Sequence, residues 1–136
     1  MLDLSVIILT YNEEIHIRRC LENVKQFASK VYVVDCFSID RTAQIAKELG
    51  AEVIEHEWPG NQAEQFNWAL DNLPITTEWI LRLDADEYLL PGLIEELLEK
   101  LPVIPESVSA LSLSRARAFC GKILPVSYTH LRAHET

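Results

Sequence analysis

Short apolar runs rich in β-branched residues alternate along the chain with longer segments whose apolar residues recur at helical spacing. A continuous apolar run of this length is typical of a strand buried on both faces, as strands of a parallel sheet usually are. The runs predict strands at residues 4–9, 31–35, 51–56 and 79–84. One further strand is predicted near the end of the chain, at residues 108–116.

The segments between these runs predict helices. The first helix covers about residues 13–28, and the second ends at Gly50, a residue suited to the C-terminus of a helix. Asn61 and Glu64 form a capping-box pattern that begins a third helix. Pro91 suits the first turn of a fourth helix.

Alternation of strands and helices at this rhythm predicts βαβ units with right-handed crossovers, and therefore a parallel sheet flanked by helices. The predicted fold class is α/β. With the first strand central, we expect the four strands in the spatial order 3-2-1-4. The length of 136 residues suits one domain, which we place at residues 1–124.

Polar clusters follow the predicted strands: TYNEE after the first, DCFSID after the second, HEWPGN after the third and DADE after the fourth. In open parallel sheets, ligands bind outside the carboxyl ends of the strands. We therefore expect one crevice to collect Thr10, Asn12, Glu13, Asp35, Ser38, Asp40, Asp84 and Asp86. Either Ser38 or Asp40 is also expected to cap the second helix.

The acids of DADE suggest a metal site. Asp84 and Asp86 are two positions apart, and two bare carboxylates at this separation repel each other. A divalent cation removes that conflict, and carboxylate oxygens together with substrate phosphates are typical ligands of Mg²⁺, with Mn²⁺ the alternative. The other interpretation is a solvated loop whose acids favour the dipole of the helix that Pro91 begins.

Charge and cysteine usage exclude several classes. The net charge is −9 and no basic stripe is present, so we expect no nucleic-acid partner. Three distant cysteines without a C-x-x-C pair indicate reduced thiols and a cytoplasmic location. Apolar runs fall short of the ~18 residues that span a bilayer. Peripheral association with the inner face of the cytoplasmic membrane would then come from regions outside this chain.

Three segments in this order, SVIILTYNEE, VYVVDCFSIDRT and WILRLDADEYLLP, resemble glycosyltransferase family 2. The resemblance covers most of residues 4–101, and FNWALDN and LRLDADEY are most similar to members that build the core of bacterial lipopolysaccharide. It implies the GT-A fold, a Rossmann-like sandwich. It also implies inverting, metal-dependent transfer of a sugar from a nucleotide-diphosphate sugar to a saccharide or lipid-linked saccharide acceptor, with Mg²⁺ or Mn²⁺ as cofactor.

The same resemblance implies roles in nucleotide binding. Thr10, Tyr11 and Glu13 would line the base and ribose pocket, and Asp35 would accept a hydrogen bond from the nucleobase. Asp84 would lie near the ribose and the metal. Physical chemistry allows these roles, because a carboxylate accepts N–H bonds and a tyrosine ring offers a face for stacking. The alternatives are a loop aromatic for Tyr11 and a turn acid for Asp35.

The remaining implied roles concern charge. Asp86 would ligate the metal, with Asp84 as the second metal residue. We expect Arg82, inside the fourth strand, to pair with nearby acids. Asn67 matches a family position, and a buried helix amide is the alternative. Residues 61–72 contain no Lys or Arg, so the charge of the diphosphate must rest more on the metal.

The end of the chain is expected to be incomplete. An inverting transferase needs a general base, and Glu106, which precedes the last predicted strand, is not assigned that role, so the catalytic residue stays unknown. Residues 125–136 have no helical or strand period and resemble the translated read-through of a sequencing adapter; a natural polar C-terminus is the alternative. We expect an inactive N-terminal donor-binding half, truncated before the acceptor half, with a non-native tail.

Two other functions stay open on the sequence. The first is a nucleotide-diphosphate binding module without turnover. The second is a nucleotidyltransferase, which would be expected to carry a basic, glycine-rich loop after its first strand. The segment TYNEE is neither basic nor glycine-rich, which counts against the second.

Overall fold

The computed structural model describes residues 1–105, 107–108, 110–119 and 122–133, with side chains described up to residue 108. The helices and strands alternate through most of this length. In chain order the elements are β1 Leu2–Thr10, α1 Ile17–Val24, β2 Ala28–Asp35, α2 Thr42–Glu48, β3 Glu52–Glu55, α3 Gln62–Asn72, β4 Trp79–Asp84, α4 Pro91–Lys100, a 3₁₀ turn Leu101–Val103, β5 Ala110–Phe119 and β6 Lys122–Ala133.

The strands form one sheet in the order β3-β2-β1-β4-β6-β5. β1 pairs in parallel with β2 and β4, and β2 pairs in parallel with β3. β6 then runs antiparallel to both β4 and β5. The α/β class and the 3-2-1-4 order with β1 central are therefore confirmed.

Both faces of the sheet are covered, which explains the continuous apolar runs. Helices α1, α2 and α4 pack on one face, where the buried core includes Val6, Ile8, Leu21, Ala46, Leu81 and Leu97. Helix α3 packs on the other face, where the core includes Ile7, Tyr32, Ala69, Leu73 and Ile80. Full burial of each large aliphatic side chain contributes roughly 1.5–3 kcal/mol, so these layers supply most of the driving force that holds the sheet.

The register brings the carboxyl ends of the parallel strands to one edge. Thr10 lies opposite Asp35, and Leu9 lies opposite Asp84. Asp35 in turn lies opposite Glu55 of β3. The loops that follow these strands, which hold the polar clusters, therefore share one side of the sheet.

Helix α1 is shorter than the helix predicted over residues 13–28. Its N-terminus has no side-chain cap, and the residues before it bind the neighbouring loop instead, as the backbone N–H of Glu13 does with Thr42. At the other end Ala28 already belongs to β2, because it pairs with Leu2. Helix α3 begins as predicted: the Asn61 side chain accepts a hydrogen bond from the backbone N–H of Glu64 at 2.8 Å.

The strand predicted at residues 108–116 is present as β5, whereas the strand after it was not expected. No strand period is present at residues 125–136, yet residues up to Ala133 continue β6, paired with β5 and β4. Backbone pairing in a hairpin does not require alternating side chains, so the periodicity missed this strand. Whether residues 125–136 are native stays a prediction. Glu106, considered above as a base, lies outside the described residues, as does Cys120.

Within the described part of the chain, no helix reaches the length and apolarity that a membrane span requires. Cys20 and Cys36 are free thiols there. Burial raises the pKa of the Cys20 thiol to about 12, so this cysteine stays protonated and acts as a packing residue of α1.

Candidate functional site

The loops after β1 and β2 interlock at the carboxyl edge. The backbone N–H of Asn12 donates to Ser38 Oγ at 2.8 Å, and the Asn12 side-chain oxygen accepts from the N–H of Ile39 at 3.0 Å. Asn12 has a positive φ of 52°, a conformation that asparagine tolerates better than most residues. These reciprocal bonds hold the two loops as one rigid unit beside the strand ends.

Asp35 is buried in this unit and already has protein partners. Its Oδ1 accepts hydrogen bonds from the hydroxyls of Thr10 and Ser38, each at 2.6 Å. Its Oδ2 accepts from the backbone N–H of Ser38 at 2.8 Å. A carboxylate offers about four acceptor positions, so the described bonds leave one unused. Thr10 is 5 % exposed and its hydroxyl is directed to Asp35, so it supports this acid.

Two aromatic side chains are exposed on the interlocked loops. Tyr11 is 55 % exposed and Phe37 is 52 % exposed. Phe37 also has a positive φ, of 50°. The family resemblance implied a role for Tyr11 but not for Phe37. The signal for Phe37 was an aromatic residue within the otherwise polar segment DCFSID. Both rings are available to stack on a planar ligand.

Glu13, in the loop after β1, lies close enough to the turn that follows β4 for their charges to interact. Burial is the largest cause that raises the pKa of the Glu13 carboxyl, and the negative charge of Asp86 is the second. Asp84 and Asp40 raise the pKa further, while His16 opposes them. Acids from three loops are therefore close enough to repel one another.

Asp84 and Asp86 differ from Asp35 in their partners. Among the described residues, no hydrogen-bond donor contacts a carboxylate oxygen of Asp84 or Asp86. The turn is held by its backbone instead: the N–H of Glu87 donates to the carbonyl of Asp84 at 2.9 Å, and the N–H of Asp84 donates to Glu87 Oε1 at 2.8 Å. Both carboxylates are therefore free to bind a ligand.

The donor set around these acids consists of oxygens. Within the described residues, no three His, Cys, Asp or Glu side chains are placed to enclose a metal ion. Two carboxylates fit a hard cation such as Mg²⁺ or Mn²⁺ that takes its remaining ligands from water and phosphate oxygens. The arrangement fits a metal shared with a substrate better than a closed structural site.

Two expectations about neighbouring residues were wrong, and one alternative for Asn67 is excluded. Arg82 donates to Gln62 Oε1 at 2.7 Å and lies over the Phe66 ring, because its side chain faces α3 rather than the acids. Asn67 is exposed, so it is not a buried amide. The residue before α2 is Arg41, so neither Ser38 nor Asp40 occupies the N-cap position.

Asp40 still accepts hydrogen bonds at the start of α2, although it lies one residue before the N-cap position. Its Oδ1 accepts hydrogen bonds from the backbone N–H and the hydroxyl of Thr42, and its Oδ2 accepts from the N–H of Glu14. These bonds lower the pKa of Asp40 against the opposing effect of burial. The acid therefore joins the two loops rather than capping the helix in the usual way.

His56, the first residue of the HEWPGN cluster after β3, has contacts that the sequence did not reveal. Its ring stacks on Trp68 of α3 with centroids 3.7 Å apart, and its Nδ1 lies 2.7 Å from Oε1 of the buried Gln65. Its backbone N–H donates to the carbonyl of Asp35 at 2.9 Å. The end of β3 is thus fixed to both β2 and α3.

A sheet of parallel strands with acids and exposed aromatic side chains at its carboxyl edge has the architecture in which open α/β sheets bind their ligands. The family model described as glycosyl transferase family 2 matches residues 5–122. The chain therefore belongs to glycosyltransferase family 2. It is 38% identical over 97 residues to an uncharacterised glycosyltransferase of Rickettsia typhi, an alignment that covers 71% of this chain and 32% of that relative.

Solved structures support the GT-A fold. A mannosyltransferase of Pyrobaculum calidifontis, solved with GDP-Man and Mn²⁺, is 24% identical with a TM-score of 0.67, covering 83% of this chain and 36% of that one. Glucosyl-3-phosphoglycerate synthase of Mycobacterium tuberculosis, solved with Mn²⁺, UDP and its product, is 18% identical with a TM-score of 0.61, covering 79% and 42%. This chain spans about a third of the length of the Rickettsia relative.

Proposed function

We propose that this chain forms the donor-binding part of a family 2 glycosyltransferase, which binds a nucleotide-diphosphate sugar together with Mg²⁺ or Mn²⁺. The observation that carries this proposal is the contrast between the acids of the crevice. Asp35 is fixed by three protein donors, while the described residues leave the carboxylates of Asp84 and Asp86 without one. Free paired acids at this edge suit a cation bound with a diphosphate.

In this proposal Asp86 and Asp84 hold the metal, and Asp84 also approaches the ribose. A metal held by these two residues would supply Lewis-acid compensation of the charge on the diphosphate. The proximity of Glu13 adds negative charge to the same place, which favours a cation further. The two neighbours solved with Mn²⁺ support this choice of cofactor.

The interlocked loops would bind the nucleoside. Tyr11 and Phe37 offer ring faces to the base, and Asp35 has one acceptor position left for a base N–H. Thr10 positions Asp35 through its hydroxyl, and Glu13 borders the ribose side. The neighbours carry GDP-Man in one case and UDP in the other, so a hexosyl donor is proposed without choosing the base.

The acceptor side of the proposal is an inverting transfer to a saccharide or lipid-linked saccharide, with lipopolysaccharide core as the first acceptor class to test. Its support is the similarity of FNWALDN and LRLDADEY to core-building members of the family. No described residue is assigned as the general base that deprotonates the acceptor. Donor binding without turnover is therefore the second candidate for the 136 residues by themselves.

A donor panel tests the proposal. UDP-, GDP- and dTDP-sugars are offered with Mg²⁺ to the 136-residue chain, and saturation-transfer difference NMR reports which ligand protons contact the protein. We expect base and ribose signals for one nucleotide class, displaced by the matching nucleoside diphosphate. Absence of signals for every donor would overturn the proposal. Sugar transfer to core oligosaccharides separates the enzyme from the binding module.

A further inference from the structure

Helix α1 holds the turn after β4 through the backbone of that turn. We call residues 84–89 the acid turn. Arg19 Nη2 donates to the carbonyl of Asp86 at 3.3 Å, and Cys20 Sγ donates to the carbonyl of Asp84 at 3.8 Å. Asn23 makes two bonds to Leu89: its Nδ2 donates to the carbonyl at 2.8 Å and its Oδ1 accepts from the N–H at 2.7 Å.

These residues form one face of the helix. Asn23 lies three positions after Cys20 and four after Arg19, which are the spacings that place side chains above one another. The three carbonyls they bind are spread over the whole acid turn, from its first residue to its last. The contact therefore fixes the course of the turn and not a single point in it.

The contacts avoid the acidic side chains. The described contacts of Arg19 include no ion pair with Asp84 or Asp86; its guanidinium lies over the Tyr88 ring at 4.8 Å and 3.4 Å from Nδ1 of His16. Arg19 is thus held flat against the turn by a ring and a carbonyl. The contacts therefore hold the backbone of the turn and, among the described residues, leave both carboxylates without an ion pair.

We propose that Arg19 and Asn23 are positioning residues that set the affinity of the acid turn for a divalent cation. The inference rests on the proposed function, because it assigns the cation to Asp84 and Asp86. Partners that orient metal ligands without touching the metal typically contribute 10–100-fold to metal affinity. The signal in the sequence was weak, since the bonded residues are more than 60 positions apart.

Substitution of Arg19 distinguishes an effect of charge from an effect of positioning, because the two change the affinity for a cation in opposite directions. Removal of a positive charge beside a cation site should strengthen cation binding if Arg19 acts only through charge. Loss of the contact that positions the acid turn should weaken cation binding. Arg18 is the matched control, because it is the neighbouring exposed arginine of α1 and its described ion pair is with Glu22 on the helix surface. Substitution of either arginine changes the net charge equally.

The experiment titrates Mn²⁺ alone into the 136-residue chain and follows free Mn²⁺ by electron paramagnetic resonance. We expect Arg19→Ala and Asn23→Ala to bind Mn²⁺ about tenfold more weakly than wild type. Arg18→Ala should bind it as wild type or slightly more tightly. Asn23→Asp keeps an oxygen that accepts from the N–H of Leu89, but it loses the N–H that donates to the Leu89 carbonyl and adds a negative charge. We expect it still to bind Mn²⁺ more weakly than wild type. Binding by Arg19→Ala as tight as that by Arg18→Ala would overturn the inference.

Hydrogen exchange separates this inference from the proposed function. If the wild-type chain binds no Mn²⁺ either alone or with an added nucleoside diphosphate, the metal part of the proposed function fails. Amide exchange measured without metal then decides the positioning role. Faster exchange at Glu87 and Leu89 in both alanine variants, but not in Arg18→Ala, would support it. Unchanged protection of these amides would overturn the positioning role. This conclusion also holds for a variant whose thermal stability equals that of wild type.

Discussion

At the residue scale, the hydrogen-bond partners of each aspartate in the crevice determine which role it can have. Asp35 is 1 % exposed and accepts bonds from Thr10 and Ser38, so its position is fixed and its charge is compensated by dipoles. Asp86 is exposed, and among the described residues it is hydrogen-bonded through its carbonyl only, so its carboxylate is available. The sequence predicted that these acids meet at one edge, but not which of them would be committed to the protein.

The bonds of Asp35 lead to a stability prediction. Asp35→Asn places an amide N–H₂ against the donors of Ser38 or Thr10, so at least one buried donor loses its acceptor. An unsatisfied buried donor costs roughly 1–3 kcal/mol, and we expect the free energy of unfolding to fall by about that amount. Urea denaturation measures it, with Asp3→Asn on the exposed side of β1 as control. Equal losses in both variants would contradict the role of Asp35 in joining the loops.

The raised pKa of Glu13 leads to a pH prediction. Because the folded chain holds this proton more tightly than the unfolded chain, whose value is near 4.5, stability is lost as pH rises from 4.5 through the raised pKa. Gln cannot ionise, so Glu13→Gln should be more stable than wild type at neutral pH without metal. The advantage should disappear below pH 4.5.

Thermal unfolding across this pH range measures the effect, with Glu57→Gln in the exposed loop after β3 as the control for charge. An advantage of Glu13→Gln that is the same at acid and neutral pH would show that repulsion from Asp86 and burial are not its cause. A gain of equal size in Glu57→Gln would indicate relief of the overall negative charge instead.

At the element scale, local signals predicted where α3 and α4 begin and failed for both ends of α1. The Asn61 and Glu64 pair predicted the start of α3, and Pro91 predicted the start of α4. Helix α1 was predicted too long, because apolar spacing continues beyond its ends while Glu13 binds Thr42 and Ala28 enters β2. Those contacts join distant parts of the chain, so the local pattern does not contain them.

The cap of α3 can be tested by itself. Asn61→Ala removes the acceptor for the N–H of Glu64 and should lower the free energy of unfolding by about 1 kcal/mol. Asn61→Asp keeps the acceptor and should be close to wild type. Urea denaturation of both variants provides the measurement. A loss of the same size in Asn61→Asp would show that Asn61 stabilises the chain through contacts other than the cap.

At the scale of the whole molecule, the order of strands was predictable because the rules of parallel sheets leave few alternatives. Alternating elements, right-handed crossovers and a central first strand are enough to collect Thr10, Asp35 and Asp84 at one edge. Strand β6 was not predictable, since its stretch of chain has no period and its pairing with β4 is long-range. The support of the acid turn by α1 was missed for the same reason.

The central claim is that this edge binds a nucleoside diphosphate through a cation held by Asp86. Isothermal titration of UDP and GDP into the chain, with Mn²⁺ and then with a chelator, tests it most directly. The controls are Asp86→Ala and Asp71→Ala, since Asp71 is an exposed acid on α3 and its loss changes the net charge equally. We predict tighter binding of one nucleotide with Mn²⁺, retained in Asp71→Ala and abolished in Asp86→Ala. Equal binding by wild type and Asp86→Ala in the presence of Mn²⁺ would contradict the claim.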